Sequence, residues 1–232
     1  MHSQRGNILF LILLAVVLFA ALSYAMTGSQ RGGVKDASSE TIRSGVASLF
    51  QFFDQVDAAV LRMRLTGGFA PENISLQYTL KKADGTTQSV SSNSNCVGNA
   101  CRVFLPDGGG ATARGFENWA LAPDGTGTTA PGYYNFIVFD FPYAGTSAND
   151  IILYVTKLQP AICTELNAAL GITTTPTMTG SYLLATPTTN WDGAGYSISA
   201  NASQLLGKNS FGRLVGSAPN QYCDVYHMLI AR

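Results

Sequence analysis

The residues most ready to react in this chain are its four cysteines, Cys96, Cys101, Cys163 and Cys223. An even number, in a chain with the marks of export described below, points to two disulfides. Three pairings are formally open. The local one, Cys96 with Cys101 and Cys163 with Cys223, is favoured because Gly98 and Asn99 let the short loop close easily. The second bond would close a loop of about sixty residues and contribute on the order of 4 kcal/mol by restricting the unfolded chain. A zinc site is disfavoured: the Cys96 to Cys101 spacing is longer than that of a common zinc knuckle, and His2 and His227 are not placed as partners.

Other chemistry is sparse. No nucleophile elbow, phosphate loop, dinucleotide fingerprint or two-histidine metal motif occurs, so no catalytic residues are assigned and an enzyme is not expected. His227 lies near Asp224 and Tyr226, but strand alternation sends those two to the opposite face, and His227 is expected to be a hydrogen-bonded structural or surface residue. The turns Asp84-Gly85, Asp107-Gly108 and Asp124-Gly125 offer oxygens that suit calcium, yet turn chemistry alone explains them and none has calcium-loop spacing. No cofactor is expected. Trp119, Tyr133, Tyr134 and Trp191 are expected in the core rather than on a binding surface, and the sequons at Asn73 and Asn201 are expected to be unused in a bacterial export context.

Fourteen basic and fourteen acidic side chains cancel, and no basic stripe is visible, which argues against a nucleic-acid partner. With 46% apolar and only 12% charged residues, the chain can bury a sizeable core, and its low charge suits a surface that packs on copies of itself. Beyond the N-terminus, Gly, Ser, Thr and Asn alternate with short runs of Tyr, Phe and Val, the make-up of a turn-rich β domain.

The elements that position these residues begin with an apolar run. No charged side chain lies between Arg5 and Arg31, and Ile8 to Met26 provides about 19 residues, enough to cross a bilayer as a helix. Its short, basic N-terminal flank predicts a cytoplasmic start and an exported body. Ser23 and Ala25 also make a small-residue cleavage signature, but the run is longer than the apolar part of a signal peptide. Gly28, Gly32 and Gly33 follow as a hinge or a juxtamembrane linker, since glycine costs about 1 kcal/mol in a helix interior. Then Ile42, Val46, Leu49, Phe53, Val56, Val60 and Met63 recur at steps of four and three, one face of an amphipathic helix ended by Thr66, Gly67 and Gly68 before Pro71.

Together, the leader MHSQRG ending in Gly6, the apolar helix, the glycine-containing weak point, the amphipathic continuation and the disulfide-bearing β-rich remainder resemble type IV pilins and type II secretion pseudopilins. The resemblance implies residues 1–6 as leader peptide, 7–33 as membrane and filament-core helix with hinge, 34–68 as amphipathic helix and 69–232 as head. It implies cleavage after Gly6 by a prepilin peptidase, with Asn7 as the new, usually methylated, first residue. Ile8, Leu11, Leu14, Val17, Leu18 and Leu22 would form the assembly helix. Asn7 and Leu11 stand where the family usually has Phe or Met and Glu, as in filament-tip members that lack that Glu.

Further along, ISLQYTLKK, TQSVS, CRVFL, FENWALA, YYNFIVFDF, NDIILYVTK, SYLLAT, GYSIS and YCDVYHMLIA are expected as strands, with YYNFIVFDF and NDIILYVTK central. LQPAICTELNAALGI is expected as a short helix and ASQLL as a helical turn, while 173–219 reads as mostly loop. The expected fold is α+β, a long hydrophobic-then-amphipathic helix on an antiparallel head. The expected function is a structural subunit of a pilus-like or pseudopilus filament. Its partners would be copies of itself or related pilins, the inner-membrane assembly machinery, and the lipid bilayer before assembly. It would pass from the inner membrane to an extracellular or periplasmic filament. The rivals are a single-pass anchored periplasmic binding or sensor domain and a secreted protein with a cleaved signal.

Overall fold

The computed structural model describes residues 5–82, 85–90, 93–121, 132–139, 150–174, 176–179, 197–199, 202–216 and 221–231. The architecture is α+β with antiparallel sheets. Helix α1 spans Arg5–Thr66 and α2 spans Pro160–Ala169. The strands are β1 (Tyr78–Lys81), β2 (Thr87–Val90), β3 (Tyr134–Phe139), β4 (Asp150–Leu158), β5 (Thr177–Thr179), β6 (Ser197–Ser199), β7 (Ser210–Val215) and β8 (Tyr222–Ile230). Hairpins β1-β2 and β5-β6 accompany a four-stranded antiparallel sheet of order β3-β4-β8-β7.

The chain divides into two compact units, Met1–Thr41 and Ile42–Arg232. The division falls at Ile42, where the apolar stripe starts, and not at the glycines; Gly28, Gly32 and Gly33 lie within α1. Among the described residues no helix is long and apolar enough to cross a membrane. Of the Ile8–Met26 run, only the side chains of residues 10 and 12–18 are among them, so most of the expected span lies outside the described side chains.

In the second unit, α1 ends as its sequence dictates. Gly67 N–H and Phe69 N–H both donate to Met63 O, at 3.0 and 3.3 Å, and Gly68 takes a left-handed φ of 64° that a side chain would strain. Ile151, Leu153, Val155, Leu158, Cys223, Val225 and Ile230 turn one sheet face into the main core with α1 and α2. Ile152, Tyr154, Phe211 and Tyr226 turn the other face into a second cluster with Ile172 and Leu205. Pro160 starts α2, where its missing N–H costs nothing.

Several expected strands differ. CRVFL is a series of turns with one bridge, Arg102 to Ser75, because the backbone doubles back: Gly109 N–H donates to Arg102 O and Ala111 N–H to Val103 O. Val103 is nonetheless fully buried, so a buried turn imitates an apolar strand. FENWALA holds a short 3-10 helix, Glu117–Trp119, with a single bridge at Ala120. Of the two strands expected at the centre, β4 is interior and β3 stands at one end of the sheet order among the described residues. ISLQYTLKK forms β1 only over Tyr78–Lys81, with Ser75 in the bridge to Arg102; the described part of GYSIS, Ser197–Ser199, pairs as β6, and SYLLAT lies outside the described residues. β5 and β7 arise within the stretch expected to be loop.

Candidate functional site

The stripe on α1 is the site's foundation. Val46, Leu49, Phe53, Val56, Val60 and Met63 are buried in the main core, with Ile42 packed at its edge. The buried face is wider than the stripe, since Phe52 and Ala59 are buried too. A close approach fixes its upper end: a Cβ on Gly45 would meet Trp119 Cδ1 at 2.7 Å and Ile162 Cδ1 at 2.9 Å. Trp119 is partly buried against this core, and Tyr133 is buried with its hydroxyl donating to Glu117 Oε1 at 2.5 Å.

Polar clamps join α1 to what it packs on. Asp57 lies four residues after Phe53, on the flank of the buried face. Its carboxylate faces His227 Nε2 on β8 at 3.0 and 3.1 Å, and His227 Nδ1 lies 2.6 Å from Ser210 Oγ on β7. A carboxylate only accepts, so Nε2 carries the proton toward Asp57, and Nδ1 shares a hydrogen bond with Ser210 Oγ. The imidazole also stacks on Phe53, centroids 4.4 Å apart and planes at 2°. At the far end of the stripe Arg62 Nη2 donates to Gly108 O at 2.8 Å and to Gly109 O. Arg114 reaches the other way, donating to Ser48 O while its guanidinium lies over Phe52 and Phe116 at 5.6 and 5.3 Å. The exposed pair Arg43–Glu165, 3.1 Å, adds little.

Ser, His and Asp meet here in one array whose geometry differs from that of the serine-hydrolase triad. Ser210 is buried, and the ring nitrogens are used in the reverse sense to that triad, Nε2 toward the Asp57 carboxylate and Nδ1 toward Ser210. The array joins α1, β7 and β8 through three side chains. His227 is thus on the face opposite Asp224 and Tyr226, as alternation requires, and its partners come from 170 and 17 residues away.

On the opposite face, Asp224 Oδ1 accepts from Thr156 Oγ1 at 2.7 Å and from Lys157 N–H at 3.1 Å. These bonds hold the bulge of β4, where Lys157 has a left-handed φ of 56°. Burial pushes the Asp224 carboxyl above its usual range despite those bonds and the nearby Arg213 and Lys157 charges. Burial first, and then the Asp224 charge, push the Tyr226 hydroxyl well up.

Both disulfides have the favoured pairing, Cys96–Cys101 and Cys163–Cys223. The second ties α2 to β8, and α2 is further fixed by Asn167, whose side-chain amide exchanges two 2.8 Å hydrogen bonds with the backbone of Gly212. A Cβ on Gly212 would meet Cys163 Sγ at 2.8 Å, which explains a glycine in mid-strand.

In the first unit, the backbone of Gly6, Asn7, Ile8, Leu11 and Leu22 belongs to α1, and their side chains lie outside the described ones. Leu14, Val17 and Leu18 are exposed, at 47%, 58% and 63%. Asp84, Asp124 and Trp191 fall outside the described residues, among which no group of three or more His, Cys, Asp or Glu could hold a metal. Ser75 of the first sequon is buried, its hydroxyl accepting from Gln77 and Asn93 N–H. The partners that sequence reasoning missed are Asp57, Ser210, Arg62 and Arg114. Only Asp57 carried a signal, a carboxylate on the edge of an apolar helix face, which demands a polar partner. Comparison with protein-family models, with curated proteins and with solved structures finds no match.

Proposed function

We propose that the chain is a structural subunit of a type IV pilus-like or pseudopilus filament, a long hydrophobic-then-amphipathic helix with a disulfide-bonded antiparallel head. The observation that carries this is the double character of α1. Its residues from Val46 to Met63 are core of the second unit, while Phe10, Ile12, Leu13, Leu14, Val16, Val17 and Leu18 of the same helix are exposed apolar side chains. Such a surface is stable in water only when covered. Lipid covers it before assembly, and neighbouring copies or related pilins cover it in the filament, where packed side chains replace hydrocarbon contact. The prepilin peptidase and the inner-membrane assembly machinery are the partners that process and mount it.

In this reading the clamps at Ser48, Asp57 and Arg62 transmit the helix's position to the head, so that packing helices place heads. No catalysis is required. Replacing Leu14 or Val17 with Asp puts a charge into the covered surface and is expected to abolish filaments while the head keeps its near-ultraviolet circular dichroism. Filaments in normal number from both variants would defeat the proposal.

A further inference from the structure

The two disulfides differ in a way that the filament reading leaves unused. Cys163 and Cys223 are both buried, between α2 and β8. Cys101 is buried as well, but Cys96 is half-exposed, and Val97, Gly98, Asn99 and Ala100 are all exposed, Val97 to 92%. A thiolate from solution therefore reaches Cys96 Sγ without the fold opening, whereas it reaches Cys163 or Cys223 only after the core separates.

Both ends of the small loop are also anchored by bonds that do not involve sulfur. Before it, Cys96 N–H donates to Asn93 O at 3.0 Å, and Asn93 Nδ2 donates to Glu72 O and Ile74 O at 2.7 and 3.0 Å. After it, Ser75 N–H donates to Cys101 O at 2.8 Å and Val103 N–H to Ser75 O at 2.9 Å. The two Cα atoms are 5.5 Å apart, and these hydrogen bonds tie both ends of the loop to residues 72–75 without the sulfurs. Gly98 O lies 3.8 Å from Cys96 Sγ and 3.5 Å from Cys101 Sγ, placed to accept a hydrogen bond from either thiol once the sulfurs are reduced.

We propose that Cys96–Cys101 is a reversible thiol–disulfide exchange site, opened by an external dithiol and closed again within the folded head, while Cys163–Cys223 is a permanent cross-link. One thiolate of the dithiol attacks Cys96 Sγ, the Cys96–Cys101 bond breaks, and Cys101 leaves as a thiolate that takes up a proton. The second thiol of the reagent loses its proton and attacks its partner sulfur in the mixed disulfide, releasing Cys96, which is protonated in turn. The dithiol is oxidised to a disulfide, and the protein pair gains two electrons and two protons.

Dithiothreitol titration of the full chain under native conditions, with iodoacetamide quenching and peptide mass spectrometry, tests this directly. Cys96 and Cys101 are expected to be alkylated at least about 100-fold faster than Cys163 and Cys223. The near-ultraviolet signal is expected to hold, and the closed-loop mass to return on adding glutathione disulfide. Opening of both bonds together, of neither, or of Cys96–Cys101 only with loss of the near-ultraviolet signal, overturns the proposal. A Cys96→Ser, Cys101→Ser variant is expected to fold with an unchanged spectrum, and its failure to fold would overturn the claim that the loop's ends are held independently.

Discussion

Replacing Asp57 with Ala removes the acceptor for His227 Nε2–H. The Asp57 side chain is 37% exposed, so its own loss from water contact is small, but the His227 side chain is only 6% exposed. Its N–H is left buried without a partner, which costs about 1–3 kcal/mol. Taking about 2 kcal/mol, the head's melting temperature should fall by about 4–8 °C. The same substitution in a His227→Phe background has nothing to orphan, because a phenyl ring keeps the stack on Phe53 and carries no N–H. There Asp57→Ala should cost no more than about 0.5 kcal/mol, as for an ordinary surface change. The coupling of about 1.5 kcal/mol is read by urea unfolding of the four proteins, followed by near-ultraviolet circular dichroism. Equal cost of Asp57→Ala in both backgrounds would refute the clamp.

Gly45→Ala improves helix propensity by about 1 kcal/mol, but overpacking against Trp119 and Ile162, which the new Cβ meets within 3 Å, costs about 1–3 kcal/mol, so a net loss of up to about 2 kcal/mol is expected; a higher melting temperature would contradict this. Asp224→Asn is expected to flatten the pH dependence of stability. Burial raises the folded carboxyl above its unfolded 3.8. The stability it contributes is therefore complete below that unfolded value and is lost as pH rises through the folded one. At neutral pH the Asn variant, which still accepts from Thr156 and Lys157, should be the more stable in thermal melts across pH, and an Asn variant less stable at neutral pH would contradict this.

Much of the head was legible because its signals were local. The four-and-three spacing from Ile42 to Met63 marked the buried face of α1, Gly67 and Gly68 marked its end, Pro160 the start of α2, and Gly98 the small disulfide loop. What was not legible depended on distant contacts. β7 was passed over because Gly212 interrupts it, and that glycine exists for Cys163 of α2. CRVFL resembled a strand because Val103 is buried, although its carbonyl is taken by the chain folding back at Ala111. Asp57 and His227 share no pattern in the sequence; only packing brings them within 3.0 Å.

Filament assembly is tested most directly at the N-terminus of the protein on the native cell surface, by intact-mass and N-terminal peptide mass spectrometry. A chain beginning at Asn7, with a methylated amino group, is the predicted result. A chain beginning at Met1 or near Met26 would contradict prepilin processing and favour an anchored or secreted domain in its place.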